Sequence, residues 1–360
     1  MAIAVLLLWL VWAFLAAAVN GEMLRASSPY VLGPLVLAAG VACGQVAYGR
    51  VAVTHLSRGT VALMATLLVL TFFSQGATGL PLGYANANAA LALQLMALSG
   101  LVLLRQRPGH PWSIVLAVGA AAVVVLLNRS AAAGALAVPL ALTIWWSTRR
   151  GQSEGPPPAG PTGVQPTIGH RLAPVLAGLL SAAAAAAVMW LAVLERWPST
   201  VESALSSARH TLWRDALTGL AGHPATGLGP GSFTRVSRTG QDTDLGAAHS
   251  AVLQVGAETG WPGVVLLALL TSTALWWVAR GSAQACTVGA AAVAALMVHA
   301  QVDHLLEYAP LVLVAGVVIG LAGASGASEQ LDVAEGEGPV ARRGRGPGQR
   351  ARGEDRSLPG

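Results

Sequence analysis

The chain has 360 residues, of which 54% are hydrophobic and only 10% are charged. Soluble domains usually carry about 25% charged residues, so this composition excludes a soluble globular enzyme and a disordered chain. The formal net charge of +5 depends on basic residues that are all Arg, because the sequence contains no Lys. These Arg residues are scattered singly between apolar runs, a pattern that indicates membrane topology rather than nucleic-acid binding.

Ten apolar runs of the sequence are candidate membrane spans, since a span needs about 20 mainly apolar residues. They cover residues 3–19, 30–48, 60–75, 87–104, 112–127, 131–146, 172–194, 260–279, 286–299 and 309–322. Backbone polar groups have no water partners in hydrocarbon, so each span is expected to be a helix. The sequence therefore predicts an all-α integral membrane protein with about ten transmembrane helices.

The distribution of Arg predicts the orientation of these helices in a cytoplasmic (inner) membrane. With the N-terminus in the cytoplasm, only Arg25 and Arg129 lie in short outer loops. The inner loops then contain Arg50, Arg58, Arg105, Arg107, Arg149, Arg150, Arg171 and Arg280. Positive loops stay inside, so both termini are predicted to be cytoplasmic and the one long loop, 195–259, extracytoplasmic.

Four regions follow from this topology. Residues 1–147 form helices 1–6, and 172–325 form helices 7–10 with the long outer loop. The segment 148–171 is rich in Pro and Gly and is typical of a flexible cytoplasmic linker. The basic tail, 326–360, has almost no large apolar residue and is predicted to be disordered. It serves as a topology signal and solubilising tail, with contact to anionic membrane lipids as the alternative.

The long outer loop contains most of the polar chemistry. Residues 199–221 are predicted to form an amphipathic helix beside the outer leaflet. Its apolar residues recur at helical spacing and are Val201, Leu205, Ala208, Leu212, Ala216 and Leu220. Gly227, Gly229 and Gly231 follow and predict a tight turn whose backbone could approach a ligand closely. A purely structural turn is the alternative.

The order of residues in and around this loop resembles that of a known family. In sequence come Arg209, Trp213, His223-Pro224, the glycine run 227–233, His249, Leu253-Gln254 and Glu258 to Gly263. Outside the loop come Gly83 to Asn88, Asn128-Arg129-Ser130 and His299 to Asp303. Together, over about 79–321, they resemble the O-antigen ligase and polymerase family of bacterial membrane glycosyltransferases.

The resemblance implies transfer of a glycan from a polyprenyl diphosphate carrier to a hydroxyl of a glycan or lipid acceptor, on the outer face of the membrane. Whether the protein is a ligase or a polymerase stays open. Arg129 and Arg209 are the implied catalytic cations, because a guanidinium group fits phosphate in a bidentate way. His249 is the implied catalytic base or orienting group for the acceptor hydroxyl.

Further residues are candidates for substrate binding. They are Arg214, Gly229, Gly231, Gln254 and Glu258. Glu258 could orient His249 or bind a sugar hydroxyl, and capping of the eighth transmembrane helix is the alternative. For Arg214 the alternative is a solvated basic loop.

No metal or cofactor is predicted. Asp242-Thr243-Asp244 is an Asp-x-Asp sequence, but it lies in a polar turn on the side of the membrane opposite to nucleotide sugars. Asp303, His304 and Glu307 could form a metal site with His299, although polar packing is the simpler interpretation. The two cysteines are isolated in apolar runs, and the family that the chain resembles needs no metal.

Two other functions are considered: a multi-pass transporter and a non-catalytic membrane scaffold. Transporters place polar residues near the middle of the bilayer and often break helices there. Here the polar residues gather at the predicted outer ends of the spans, which favours an outward-facing enzyme site.

Overall fold

A computed structural model describes residues 2–73, 84–106, 111–153, 169–237 and 246–336. Within these ranges the chain forms α-helices, one 3-10 helix and connecting turns. The α-helices are α1 Ala2–Val19, α2 Pro29–Arg50, α3 Val53–Phe73, α4 Ala85–Leu104, α5 Pro111–Leu127, α6 Ala131–Ser153, α7 Gly169–Val193, α8 Ser199–Leu205, α9 Ser207–Gly222, α10 Phe233–Val236, α11 Ala251–Val278, α12 Ala283–Ala300 and α13 Ala309–Gly336. The 3-10 helix, Leu305–Glu307, lies between α12 and α13.

The helices confirm the prediction of an all-α integral membrane protein. Nine helices of the described ranges are long and apolar enough to cross a membrane, and the shorter α5 contributes the apolar stretch Val115–Leu127. Each of the ten corresponds to one apolar run of the sequence. Helices α6 and α7 extend into the predicted linker, and α13 continues to Gly336, beyond the expected start of the tail. The Asp-x-Asp sequence at 242–244 lies outside the described residues.

Small residues allow α2 and α13 to pack at very short distance. A Cβ atom at Gly40 would lie 2.4 Å from the carbonyl oxygen of Leu313, and one at Gly316 would lie 2.5 Å from that of Leu37. Gly44 and Gly320 make equally close approaches one turn further along. Glycines four residues apart on both helices therefore build this contact, as is common where helices associate in membranes.

Helices α4 and α12 form the centre of the bundle. In their most apolar windows, 78% of the α4 residues and 72% of the α12 residues are buried. The Gln94 side chain joins the two helices by donating from Nε2 to the carbonyl oxygen of Ala292, at 3.0 Å. Most other spans expose large apolar side chains, as a lipid-facing surface requires. The surrounding protein therefore fixes the start of α4 and the end of α12, and polar residues lie at both of these places.

The opposite end of the bundle carries Arg residues that stack on aromatic rings. Arg149, Arg150 and Arg280 lie over neighbouring Trp rings at 4.5–5.1 Å. Arg105, after the end of α4, lies 4.1 Å from the Tyr48 ring centre and donates to the Tyr48 carbonyl oxygen. Aromatic rings and cations are typical of the headgroup level of a membrane. The basic loops identified in the sequence therefore share one end of the helices.

The amphipathic helix predicted for 199–221 is two helices, which corrects the sequence interpretation. Ser206 separates α8 from α9 with a φ of 72°, outside the helical region. Leu212, Trp213 and Ala216 of α9 are fully buried and pack with residues of α7 and α11, among them Leu253. The apolar face of α9 therefore packs against protein rather than lying on the outer leaflet.

Helix α11 is broken at Gly260, where φ is 71° and ψ is −172°. The residues before the break, 251–260, are nearly all buried inside the protein, and the residues after it form the apolar span. This explains why the apolar run in the sequence begins near residue 260. The buried half-helix brings the residues that precede α11 to the polar end of α4 and α12.

Candidate active site

Asp303 is the centre of the polar cluster at the ends of α4 and α12. It follows α12 and its side chain is 1% exposed. The hydroxyl of Tyr84 donates to Oδ1 of Asp303, and the amide of Asn86 donates to Oδ2. Because Tyr84 and Asn86 open helix α4, the two central helices fix this carboxylate from both sides.

His249 contacts the same carboxylate from the start of α11. Its Nδ1 atom lies 3.1 Å from Oδ1 of Asp303 and 3.3 Å from the Tyr84 hydroxyl. The backbone of His249 has a φ of 50°, which non-glycine residues rarely adopt. The next residue, Ser250, caps α11 with its side chain. Strain of this kind concentrates at functional sites, and here it directs the imidazole towards Asp303.

Arg209 brings a positive charge to the cluster from α9. One terminal nitrogen lies 3.8 Å from Oδ2 of Asp303, and the other donates to the Leu205 carbonyl oxygen at 3.2 Å. The Nε atom of Arg209 is buried and makes no hydrogen bond within the described ranges. The Arg209 side chain is 23% exposed, so part of this side chain remains open to a ligand. A carboxylate, an imidazole and a guanidinium group therefore meet at one place.

The surroundings fix the protonation states of Asp303 and Tyr84. Burial alone would raise the pKa of Asp303, but hydrogen bonds from His249, His304 and Tyr84 hold the pKa well below its usual range. Burial and the adjacent Asp303 carboxylate raise the pKa of Tyr84 far above its usual range. Tyr84 is therefore a stable proton donor to an ionised carboxylate, a pairing that holds the carboxylate in place.

One group of side chains in the described ranges has the spacing of metal ligands. It consists of His249, Asp303 and His304, whose ligand atoms lie within 4.8 Å of one another. The sequence had suggested His299 and Glu307 as the companions of Asp303 and His304. His299 is instead buried in α12, with neither ring nitrogen hydrogen-bonded within the described chain. His249 takes its place in the group.

The glycine turn is packed against the break in α11. A Cβ atom at Gly227 would lie 2.3 Å from the carbonyl carbon of Glu258, and one at Gly260 would lie 2.7 Å from the Pro224 carbonyl oxygen. The backbone N–H groups of Leu228 and Gly229 donate to carbonyl oxygens of α11 at 2.8 and 2.9 Å. The turn therefore requires glycine because two stretches of backbone touch.

Glu258 and Gln254 hold this turn and the segment before His249. The Glu258 carboxylate accepts from the backbone N–H groups of Gly231 at 2.7 Å and Phe233 at 3.0 Å. Gln254 donates to Glu258 at 2.8 Å and accepts from the N–H of Ala248 at 2.6 Å. Hydrogen bonds to neighbouring parts of the protein therefore hold the side chains of Glu258 and Gln254 in place.

The remaining predicted residues lie around the cluster. Arg129 is exposed in the turn between α5 and α6, with a φ of 51°. Its neighbour Asn128 accepts a hydrogen bond from Asn88 of α4 at 3.5 Å, so α4 links this turn with Asp303. Arg214 is exposed on α9, and Gly231 has open space where a side chain would be. Among the residues that the structure describes, no hydrogen bond or ion pair joins Arg129 or Arg214 to the cluster.

An apolar groove, partly open to its surroundings, adjoins the cluster. It lies between α1, α2, α11, α12 and α13, and most of its lining is apolar, including Trp9, Leu37 and Leu270. Gln254 and His304 line it as well, and both are close in the chain to His249 or Asp303. An apolar cavity with a few polar groups at one place is typical of a ligand site.

Sequence reasoning identified His249 and Arg209 but did not assign Tyr84, Asn86 or Asp303 to the site. The available signal was the position of these polar residues beside the ends of two runs, the fourth and the ninth. It became informative only when the structure showed that α4 and α12 are neighbours at the centre of the bundle.

These features define an all-helical, multi-pass membrane protein with a buried polar cluster at one end of its helices. A family model described as O-antigen ligase matches residues 112–268, a little under half of the chain. Over this segment the chain is similar to the O-antigen ligase family. No curated protein matches the chain.

This match confirms the resemblance seen in the sequence and supports a ligase or transferase activity like that of membrane glycosyltransferases. The matched segment contains Arg129, Arg209, the glycine turn and His249. Asp303 and its partners on α4 lie outside the match, so the structure adds them to the candidate site.

Proposed function

We propose that this protein transfers a glycan from a polyprenyl diphosphate carrier to a hydroxyl acceptor at the outer face of the cytoplasmic membrane. The observation that carries this proposal is the meeting of His249, Asp303 and Arg209 beside an apolar groove. The acceptor is a glycan or a lipid. Ligation of a glycan to an acceptor and polymerisation of glycan units use the same donor chemistry, which is described below.

His249 acts as the base in the proposed reaction. The Nδ1–H group donates to Asp303, so Nε2 carries the lone pair that takes the proton of the acceptor hydroxyl. The acceptor oxygen then bonds to the anomeric carbon of the donor sugar, and the bond between that carbon and the diphosphate oxygen breaks. Asp303 fixes the tautomer and stabilises the imidazolium that forms, which is the role of a carboxylate behind a histidine base.

Arg209 and Arg129 bind the diphosphate, which leaves with the electron pair of the broken bond. Guanidinium groups stabilise charge that develops on phosphate oxygens in the transition state. Arg209 is held at the cluster by Asp303 and by the Leu205 carbonyl oxygen. Arg129 reaches the donor from the turn between α5 and α6. The hydrogen bond from Asn88 to Asn128 connects this turn to α4, whose first residues contact the cluster. Arg214 adds to the positive field from the exposed face of α9.

The apolar groove receives the first isoprenoid units of the carrier. Its lining is apolar where a hydrocarbon chain would lie, and His304 and Gln254 mark the polar end beside the cluster. A lipid diphosphate needs this combination, because its headgroup is charged and its tail is insoluble in water. Glu258, Gly229 and Gly231 support the site by shaping the loop over it.

The proposed orientation places the cluster outside and both termini in the cytoplasm. The Arg residues that stack on Trp rings occupy the opposite end of the bundle, as the positive-inside rule requires. A transporter is less well supported, because the polar cluster lies at the ends of α4 and α12 rather than in their middle. A scaffold would not need a strained histidine directed at a buried carboxylate.

The test is transfer by the purified full chain in lipid vesicles containing a polyprenyl diphosphate-linked sugar and candidate acceptors. We expect His249→Ala and Arg209→Ala to insert normally and to lose transfer by about 10²–10⁴-fold, the usual contribution of a general base. The matched controls are His55→Ala and Arg196→Ala, both at exposed positions away from the cluster. Unchanged turnover in both site variants would contradict the proposal.

A further inference from the structure

Three ligand atoms of the cluster form a small, nearly equilateral triangle. Nδ1 of His249 lies 3.1 Å from Oδ1 of Asp303 and 3.3 Å from Nδ1 of His304. Nδ1 of His304 lies 3.2 Å from the same Oδ1 atom. The three side chains come from two separate loops, and Asp303 and His249 are almost fully buried. This arrangement is therefore part of the folded core of the site.

Protons do not satisfy all three contacts of this triangle at once. If both imidazoles donate to Oδ1, two N–H groups face each other at 3.3 Å. If one imidazole donates to the other, a nitrogen lone pair faces the carboxylate oxygen. The same Oδ1 atom also accepts from the Tyr84 hydroxyl and from the backbone N–H of His304. Protons alone therefore leave at least one unfavourable contact in the triangle in either arrangement.

A single cation at the centre would satisfy all three lone pairs. In tetrahedral zinc sites the bonds to nitrogen and oxygen are about 2.0–2.2 Å, so neighbouring ligand atoms lie about 3.3–3.5 Å apart. The three observed separations are close to this spacing. Two imidazole nitrogens favour Zn²⁺ and similar transition metals over Mg²⁺ and Ca²⁺, which prefer oxygen ligands.

The surroundings supply the supporting contacts that such a site needs. Asn86 and Arg209 hold the second oxygen of Asp303, which leaves Oδ1 as the single metal-binding oxygen. The Tyr84 hydroxyl lies 3.3 Å from Nδ1 of His249, where it or a water molecule can complete the coordination. Arg209 is also a nearby positive charge, so we expect reversible binding rather than a permanent structural metal.

We propose that His249, His304 and Asp303 bind one Zn²⁺ ion through these three atoms, and that the bound ion inhibits transfer. Zn²⁺ takes the lone pair of Nδ1 of His249, so the single proton of the neutral imidazole moves from Nδ1 to Nε2 by exchange with solvent. Nε2 then carries this proton and no longer has a lone pair for the acceptor hydroxyl. The sequence analysis predicted no metal, and this proposed site departs from that prediction. Binding is independent of the proposed function, whereas the inhibition rests on it.

Binding is measured by calorimetric titration of the purified full chain in detergent with ZnCl₂. We expect one saturable Zn²⁺ per wild-type chain, at least tenfold weaker binding by His304→Gln, and loss of binding in His249→Gln. The control variant His55→Gln keeps the wild-type affinity. Zn²⁺ should raise the midpoint of thermal unfolding of the wild type and not that of His304→Gln, because a ligand stabilises the state that binds it.

Inhibition is measured in the transfer assay over the same Zn²⁺ range. We expect wild-type transfer to fall as the site fills and to return after addition of a chelator. The rate of each variant is expressed relative to its own rate without Zn²⁺, and His304→Gln, whose His249 and Asp303 are intact, needs at least tenfold more Zn²⁺ than the wild type for the same fractional inhibition. Equal Zn²⁺ affinity in wild type and His304→Gln would overturn the site. Saturable binding without inhibition would overturn the inhibitory role and leave the site in place.

Discussion

Nδ1 of His249 and Oδ1 of Asp303 lie 3.1 Å apart, although the two residues are 54 positions apart in the sequence. The first residue precedes the buried half of α11 and the second follows α12. Their contact therefore depends on how α11 and α12 pack around α4. A substitution at the start of α11 or at the end of α12 is therefore expected to alter the orientation of the His249 imidazole.

The first prediction concerns Asp303→Asn, which removes the charge that fixes His249 while keeping the shape of the side chain. We expect transfer to fall by about 10²–10⁴-fold, because an amide neither stabilises the imidazolium nor enforces its tautomer. The measurement is the rate of transfer at saturating donor, with binding of the donor followed separately. Wild-type turnover in this variant would show that His249 does not depend on the carboxylate.

Asp303→Asn is also expected to change how the stability of the protein depends on pH. The pKa of Asp303 is lowered on folding, so its stabilising contribution is complete above the ordinary pKa of an unfolded Asp, about 3.9. That contribution is lost as the pH falls through the lowered pKa. We expect the difference in unfolding midpoint between wild type and Asp303→Asn to be constant from about pH 8 to 5 and to shrink below about pH 4. A difference that grows in acid would mean that the pKa is raised instead.

A further prediction concerns Gly227→Ala in the glycine turn. The added Cβ atom would lie 2.3 Å from the backbone of Glu258, at a φ of +64°. We expect a loss of about 2 kcal/mol or more in stability, from strain and from separation of the turn and α11. Thermal unfolding in detergent measures this loss. Gly222→Ala is the matched control, since a Cβ atom there meets nothing within 4 Å, and it should unfold like the wild type.

Glu258→Gln tests the anchor of the same loop. The carboxylate accepts from two backbone N–H groups, whereas an amide presents one oxygen and one N–H₂ group to them. We expect a loss of about 1–3 kcal/mol, the cost of leaving a buried donor unsatisfied. Limited proteolysis of the loop reports the change, with cleavage expected between residues 223 and 237. Glu202→Gln, at an exposed position of α8, should be cleaved like the wild type.

The orientation of the bundle is tested by labelling single cysteines. Cys43→Ala with Cys286→Ala gives a background from which both native thiols are removed. We expect Arg196→Cys to react with an impermeant maleimide on intact cells and Arg50→Cys to react only after the membrane is opened. The opposite pattern would place His249 and Asp303 on the cytoplasmic side and would rule out the proposed lipid-linked donor chemistry there.

The sequence alone determined the number and order of the membrane helices. Each apolar run had to become a helix, because a backbone in hydrocarbon has no other partner for its polar groups. The break in α11 was not predicted, although Gly260 and Pro262 lie at the start of the eighth apolar run. His249 and Arg209 were found from the order of residues along the outer loop, which is a local property of the chain.

Only the tertiary structure decided what these residues contact. The apolar face of α9 has the same periodicity whether it meets lipid or protein, and the packing of Leu212 and Trp213 against α7 and α11 is what distinguishes the two. Asp303 is one polar residue in a short turn until α4 brings Tyr84 and Asn86 to it. Helical periodicity specifies which face of a helix is apolar, but contacts between distant helix ends depend on how all the helices pack together.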